Sequence, residues 1–68
     1  MRLSARNQLK GKVVRVKEGA VNGMVTIDVN GTEITGTISM DAIKELGLKE
    51  GADAYAVIKA TSVMFAVD

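Results

Sequence analysis

The 68-residue chain has no cysteine, no histidine and no proline, and only one tyrosine and one phenylalanine. Each absence closes a route. Without cysteine there are no disulfides to staple so small a domain, and without histidine as well a metal site would need carboxylates alone. The carboxylate spacing fits no calcium-binding loop. The usual general base and the usual activated nucleophile are also missing, and no carboxylate pair stands out to replace them. Glu45 and Glu50 read as solvated charges flanking a helix end. Gly19 and Gly23 lack the partner residues of a phosphate-binding fingerprint, and Gly47 and Gly51 read as turn glycines. The composition argues against an enzyme.

Long hydrophobic runs are missing too. No stretch approaches the length of a membrane span, and polar residues follow Met1-Arg2-Leu3-Ser4 where a secretory core would lie. The expected setting is the cytoplasm. Nine basic and eight acidic residues leave a net charge of +1, too little to steer polyanions. Hydrophobic residues make up 47% of the chain, almost all of them small aliphatics that line both faces of several segments. Residues 1–68 form one domain near the lower size limit for independent folding. With disulfides and metal set aside, association with further copies is the remaining source of stability.

What is present is mostly β pattern, with no linker and no low-complexity stretch. Leu9 to Lys17 alternates around Val13-Val14-Arg15-Val16, where adjacent valines predict a bulge or a strand buried on both faces. Glu18 to Gly23 reads as a turn or loop, and Met24 to Val29 as a second strand. Asn30-Gly31 then predicts a type I′ hairpin, returning through Thr32 to Ile38. Ser39 is a good N-cap for one short helix with Ala42, Ile43 and Leu46 as its apolar stripe and Gly47 as its end. Ala54 to Lys59 and Ser62 to Val67 complete the set, and Phe65, alternating with Val63 and Val67, reads as core. Five short strands with one helical turn between the third and fourth predict an all-β, OB-like barrel.

Such barrels often bind single-stranded nucleic acid on a basic groove with stacked aromatics. Here only Tyr55 and Phe65 are available, on different strands, and Lys10 and Lys12 read equally well as charges that blunt a sheet edge. A small oxyanion fits better. Ser4-Ala5-Arg6-Asn7-Gln8-Leu9-Lys10-Gly11 places a hydroxyl and a guanidinium two residues apart where a first strand should begin. In an extended segment positions 4, 6 and 8 share a face, so Ser4 and Arg6 aim at one spot. The plain alternative is a solvated terminal charge. Ser39 begins the helical turn, where free N–H groups favour anions, and otherwise is a simple cap. Lys59 ends the apolar run Ala56-Val57-Ile58, and otherwise is a wet strand-end charge.

These stretches, with Ile38-Ser39, Glu45-Leu46-Gly47-Leu48-Lys49-Glu50-Gly51 and Val57-Ile58-Lys59-Ala60-Thr61, resemble the molbindins, small Mop proteins that bind molybdate and tungstate. The resemblance spans essentially the whole chain. It implies an OB-like barrel, a homohexamer built as a trimer of dimers, and oxyanion sites between subunits. By position it implies donors at Ser4, Arg6, Ser39 and Lys59, with a backbone contribution from Ala60. Where the family often has a second hydroxyl, this chain has Ala42, which could contribute only its backbone N–H. Molybdate or tungstate would be bound as an oxyanion, with no organic cofactor, no membrane and no nucleic acid. Storage or buffering is the expected role, since the chain has no room for a DNA-binding or ATPase domain. Lone subunits would leave the faces carrying Val63, Phe65 and Val67 exposed. A nucleic-acid-binding OB module and a purely structural assembly protein are the competing readings.

Overall fold

The computed structural model describes residues 1–68 and is built on one long central strand. This strand, β1 (Asn7–Lys17), pairs antiparallel on one side with β2 (Asn22–Val29) and on the other with β4 (Asp53–Ile58). β3 (Thr32–Ser39) pairs antiparallel with β2, giving the sheet order β3-β2-β1-β4. A short helix, α1 (Met40–Leu46), links β3 to β4, and a single 3₁₀ turn (Ala60–Ser62) follows β4. The fold is the all-β, OB-like arrangement with one helix between the third and fourth strands.

Local chemistry accounts for the joints. Asn30 and Gly31 take φ of 50° and 92°, the two positive values of a type I′ turn, and β2 and β3 run in register from that turn to Asn22 and Ser39. The register of β1 against β2 shifts between Val13 and Arg15, leaving Val14 as the extra residue of a bulge. The bulge lets Val13 and Val16 both face inward while Lys12, Arg15 and Lys17 stay outside. Ser39 caps α1, its Oγ accepting the Ala42 N–H at 3.0 Å. Gly47, at φ 65°, ends the helix, and the following Leu48 N–H returns to the Ile43 carbonyl at 3.0 Å.

The core is thin. Val13, Val25, Ile27, Met40 and Ile43 are its buried hydrophobic residues, ringed by half-buried side chains such as Val16, Ile34, Ile38 and Leu48. Thr26 is buried among them, its hydroxyl satisfied by that of Thr35 directly across the β2–β3 ladder at 2.8 Å.

Six expectations are corrected. The sheet has four strands, because Ser62 to Val67 forms no ladder; alternation sets which side chains share a face and does not supply a partner strand. Phe65 is accordingly 93% exposed and no part of the core of a single chain, and Val63 and Val67 are exposed with it. β1 begins at Asn7, so Ser4 and Arg6 lie in a bent lead-in rather than on the face of a strand. Leu46 is exposed, and Met40, one turn before Ile43, takes the inner place in the helix stripe. Lys10 and Lys12 stand on an interior strand, where Lys12 Nζ pairs with Asp53 Oδ1 at 2.8 Å. Asn22 and Gly23, read as loop, open β2.

Candidate functional site

Arg6 and Lys59 flank the same end of one ladder. The last β1–β4 pair is Asn7 opposite Ile58, so Arg6 immediately precedes it and Lys59 immediately follows it. Asn7 Nδ2 donates to the Ile58 carbonyl at 3.1 Å and pins that end. The bent lead-in is held by Gln8 Nε2, which donates to the Ala5 carbonyl at 3.2 Å. Ser4, Arg6 and Lys59 are all exposed. The chain's two ion pairs, Lys12–Asp53 and Arg15–Glu33, leave the charges of Arg6 and Lys59 uncompensated.

Lys59 also opens the 3₁₀ turn. Within that turn the Ser62 N–H donates to the Lys59 carbonyl and the Val63 N–H to that of Ala60. The Ala60 and Thr61 N–H groups donate to no oxygen of the chain. Two cations and a pair of open N–H donors thus sit together at one end of the sheet. Such charge-assisted donors suit a small anion.

The Ser39 group lies elsewhere. Ser39 stands opposite Asn22 at the start of β2, beyond the rung where Met24 faces Lys17 at the far end of β1. The eleven residues of β1 run roughly 35 Å at about 3.3 Å per residue. That matches the 35 Å longest dimension of the molecule. Ser39 and Ala42 are therefore at the opposite end from Arg6 and Lys59, and one copy does not bring the two groups to a common ligand. Around Ser39 two donors are already used. Met40 N–H donates to the Val21 carbonyl at 2.8 Å and Ala42 N–H to Ser39 Oγ at 3.0 Å. The Ser39 hydroxyl proton and the Asp41 N–H remain free to donate, whereas Ala42 would have to exchange its bond with Ser39.

Residues 3–65 match the family model described as the TOBE domain. The chain belongs to this family, and within it to the Mop-type proteins. It is 55% identical over its full length, and the full length of the other protein, to a probable molybdenum-pterin-binding protein of Haemophilus influenzae. Among solved structures, MopII from Clostridium pasteurianum superposes with a TM-score of 0.91 at 51% identity, over 97% of this chain and 100% of that one. The cytoplasmic molybdate-binding protein ModG, solved with molybdate bound, superposes with a TM-score of 0.90 at 54% identity. That match covers 94% of this Mop-type chain and 46% of ModG. The relatives are described as binding proteins. No helix of the chain is long and apolar enough to cross a membrane.

One feature escaped the sequence. A groove of about 570 Å³ opens between β3 and β4, lined among others by Ile34, Ile38, Leu48, Ala54, Ala56 and Ile58. Its signal was the in-phase alternation of β3 and β4, two runs whose inward residues face each other across an unfilled gap.

Proposed function

We propose that this chain binds molybdate, and tungstate as its close congener, at sites shared between copies of itself. The observation that carries the reading is the convergence of Arg6, Lys59 and the open Ala60 N–H on one end of the β1–β4 ladder, with Ser39 at the other end. Arg6 and Lys59 of one copy would neutralise the dianion, and Ser4 and the Ala60 N–H would add donors beside them. Ser39 of a second copy, with the first turn of α1 around Ala42, would close the other side. The anion exchanges its water shell for these donors, and no bond is made or broken. Release is then simple dissociation, as a storage or buffering protein of the cytoplasm requires.

A site divided between opposite ends of the chain needs an oligomer, and a hexamer built as a trimer of dimers satisfies it. The relatives' names and the molybdate held by ModG support the ligand. Calorimetric titration with molybdate, tungstate and sulfate, with light scattering on the same samples, tests the reading. Saturable heat with molybdate in an assembled protein is the expected result. A monomer that binds molybdate equally well, or an assembly that gives no heat, defeats it. Oligonucleotide binding with a steep salt dependence would instead establish a nucleic-acid module.

A further inference from the structure

The tripeptide Val-Asn-Gly occurs twice in the chain, as Val21-Asn22-Gly23 and Val29-Asn30-Gly31. Asparagine before glycine is able to modify itself. The glycine nitrogen attacks the side-chain amide carbon, closes a succinimide ring and expels ammonia. Water then opens the ring at either carbonyl, leaving an aspartyl or an isoaspartyl residue. The reaction needs a glycine N–H that is not held in a hydrogen bond, an asparagine amide free to turn, and room for the peptide between them to rotate. The fold treats the two copies of the motif differently.

Asn22-Gly23 is held by its nitrogen. The turn at Asn30-Gly31 closes on a bond from the Thr32 N–H to the Val29 carbonyl, and hydrogen-bonded pairs alternate along the antiparallel ladder from there. Val29–Thr32, Ile27–Ile34, Val25–Gly36 and Gly23–Ile38 are therefore the bonded pairs of β2 and β3. Gly23 gives its N–H to Ile38 and is buried. It is packed so closely that a Cβ there would lie 2.7 Å from Ile43 Cδ1 and 2.8 Å from Met40 Sδ. Asn30-Gly31 has neither restraint. The Asn30 amide makes no hydrogen bond within the chain, and the Gly31 N–H donates to no oxygen of it. Both residues are exposed, and no atom lies within 4 Å of where a Gly31 side chain would stand. The third asparagine, Asn7, precedes Gln8 rather than glycine, and its Nδ2 is committed to the Ile58 carbonyl at 3.1 Å.

We propose that Asn30 is a site of spontaneous deamidation, and that the β2–β3 ladder protects the same motif at Asn22. The Gly31 nitrogen bonds to Asn30 Cγ, the Cγ–Nδ2 bond breaks, and the amide leaves as ammonia. Hydrolysis of the ring consumes one water and leaves a carboxylate at position 30. That carboxylate joins Asp28 and Glu33, which face each other one rung from the rung that closes the turn. The formal net charge of +1 is lost. In the isoaspartyl product the main chain also runs through the former side-chain methylene. A type I′ turn, which depends on the positive φ of both Asn30 and Gly31, does not survive that insertion. The hairpin then loses the turn that sets its register.

The repeated tripeptide supplies its own control. The unsubstituted full-length chain is aged in mildly alkaline buffer below its melting temperature, and each asparagine is followed by peptide mapping with mass spectrometry. A second sample is aged in urea, where the two motifs lack the fold. In the folded chain Asn30 is expected to convert roughly tenfold or more faster than Asn22, because Gly23 must first leave the ladder. In urea the two should convert at similar rates. Equal rates in the folded chain, or an intact Asn30 after the urea sample has converted, overturn the proposal. The same preference for Asn30 in urea overturns it as well, since sequence alone would then account for the difference. Asn30→Gly keeps a residue suited to positive φ and removes the amide. It should hold its thermal midpoint through an ageing period in which that of the unsubstituted chain falls. A midpoint that falls equally in both overturns the link between the modification and the hairpin.

Discussion

The β2–β3–α1 unit and the two ends of the chain obey different rules. In the unit every local signal is answered inside the same chain: Asn30-Gly31 makes its turn, Ser39 caps its helix, and Met40 and Ile43 enter the core. At the ends several groups are left open. Arg6 and Lys59 have no counter-charge, Ala60 and Thr61 have no acceptor, and Phe65 has no neighbour to bury it. The unit is a frame complete in itself, whereas the ends are halves of contacts. Stability and binding should therefore respond to different substitutions.

Substitutions in the frame should have the largest effect. Ile27→Ala and Ile43→Ala each remove a side chain from a core of five buried hydrophobic residues. Each should cost about 2–5 kcal/mol, a large share of the stability of so small a domain. Chemical denaturation should show it as a lowered midpoint, and a midpoint unchanged by both would mean that the frame is not where stability resides. The ends should behave oppositely. Lys59→Ala or Arg6→Ala should weaken molybdate binding roughly 10- to 100-fold, the worth of a hydrogen bond to a charged group. The thermal midpoint without anion should not move. Ser39→Ala crosses the boundary, because the Oγ that caps α1 is also the hydroxyl we propose for the anion. It should cost about 1 kcal/mol of stability and some anion affinity together. Loss of only one of the two would assign Ser39 to one region alone.

The same division explains what could be read from the residues. Turns, caps and strand alternation are local, so the hairpin, the helix and the Val13-Val14 bulge were legible. Of the proposed site, Arg6, Lys59 and Ser39 are singled out by the molbindin-like motifs, but their placement is not. Placement depends on register: pairing Asn7 with Ile58 unites Arg6 and Lys59, and pairing Asn22 with Ser39 sends Ser39 to the other end. The tail follows the same rule. Val63, Phe65 and Val67 have the period of a strand, and period carries no information about which sheet, or whose, will receive it.

The smallest expected effect separates frame from ends by pH. Lys12 joins β1 to β4 through Asp53, and its hydrogen bond and charge hold the Asp53 carboxyl below its ordinary value of 3.8. A carboxyl lowered by folding adds stability above its unfolded value and loses it as pH falls through the lowered one. The contribution is thus complete above about pH 4 and disappears only in stronger acid. Both side chains are well exposed, at 63% and 59%, so solvent and salt screen the pair. Asp53→Asn should leave the thermal midpoint near neutral pH almost unchanged and flatten only its fall below pH 4. Added salt should mimic the substitution. A clear loss of stability at neutral pH would mean that the β1–β4 junction depends on this ion pair. The rung that carries Arg6 and Lys59 would then belong less to the frame than the ladder implies.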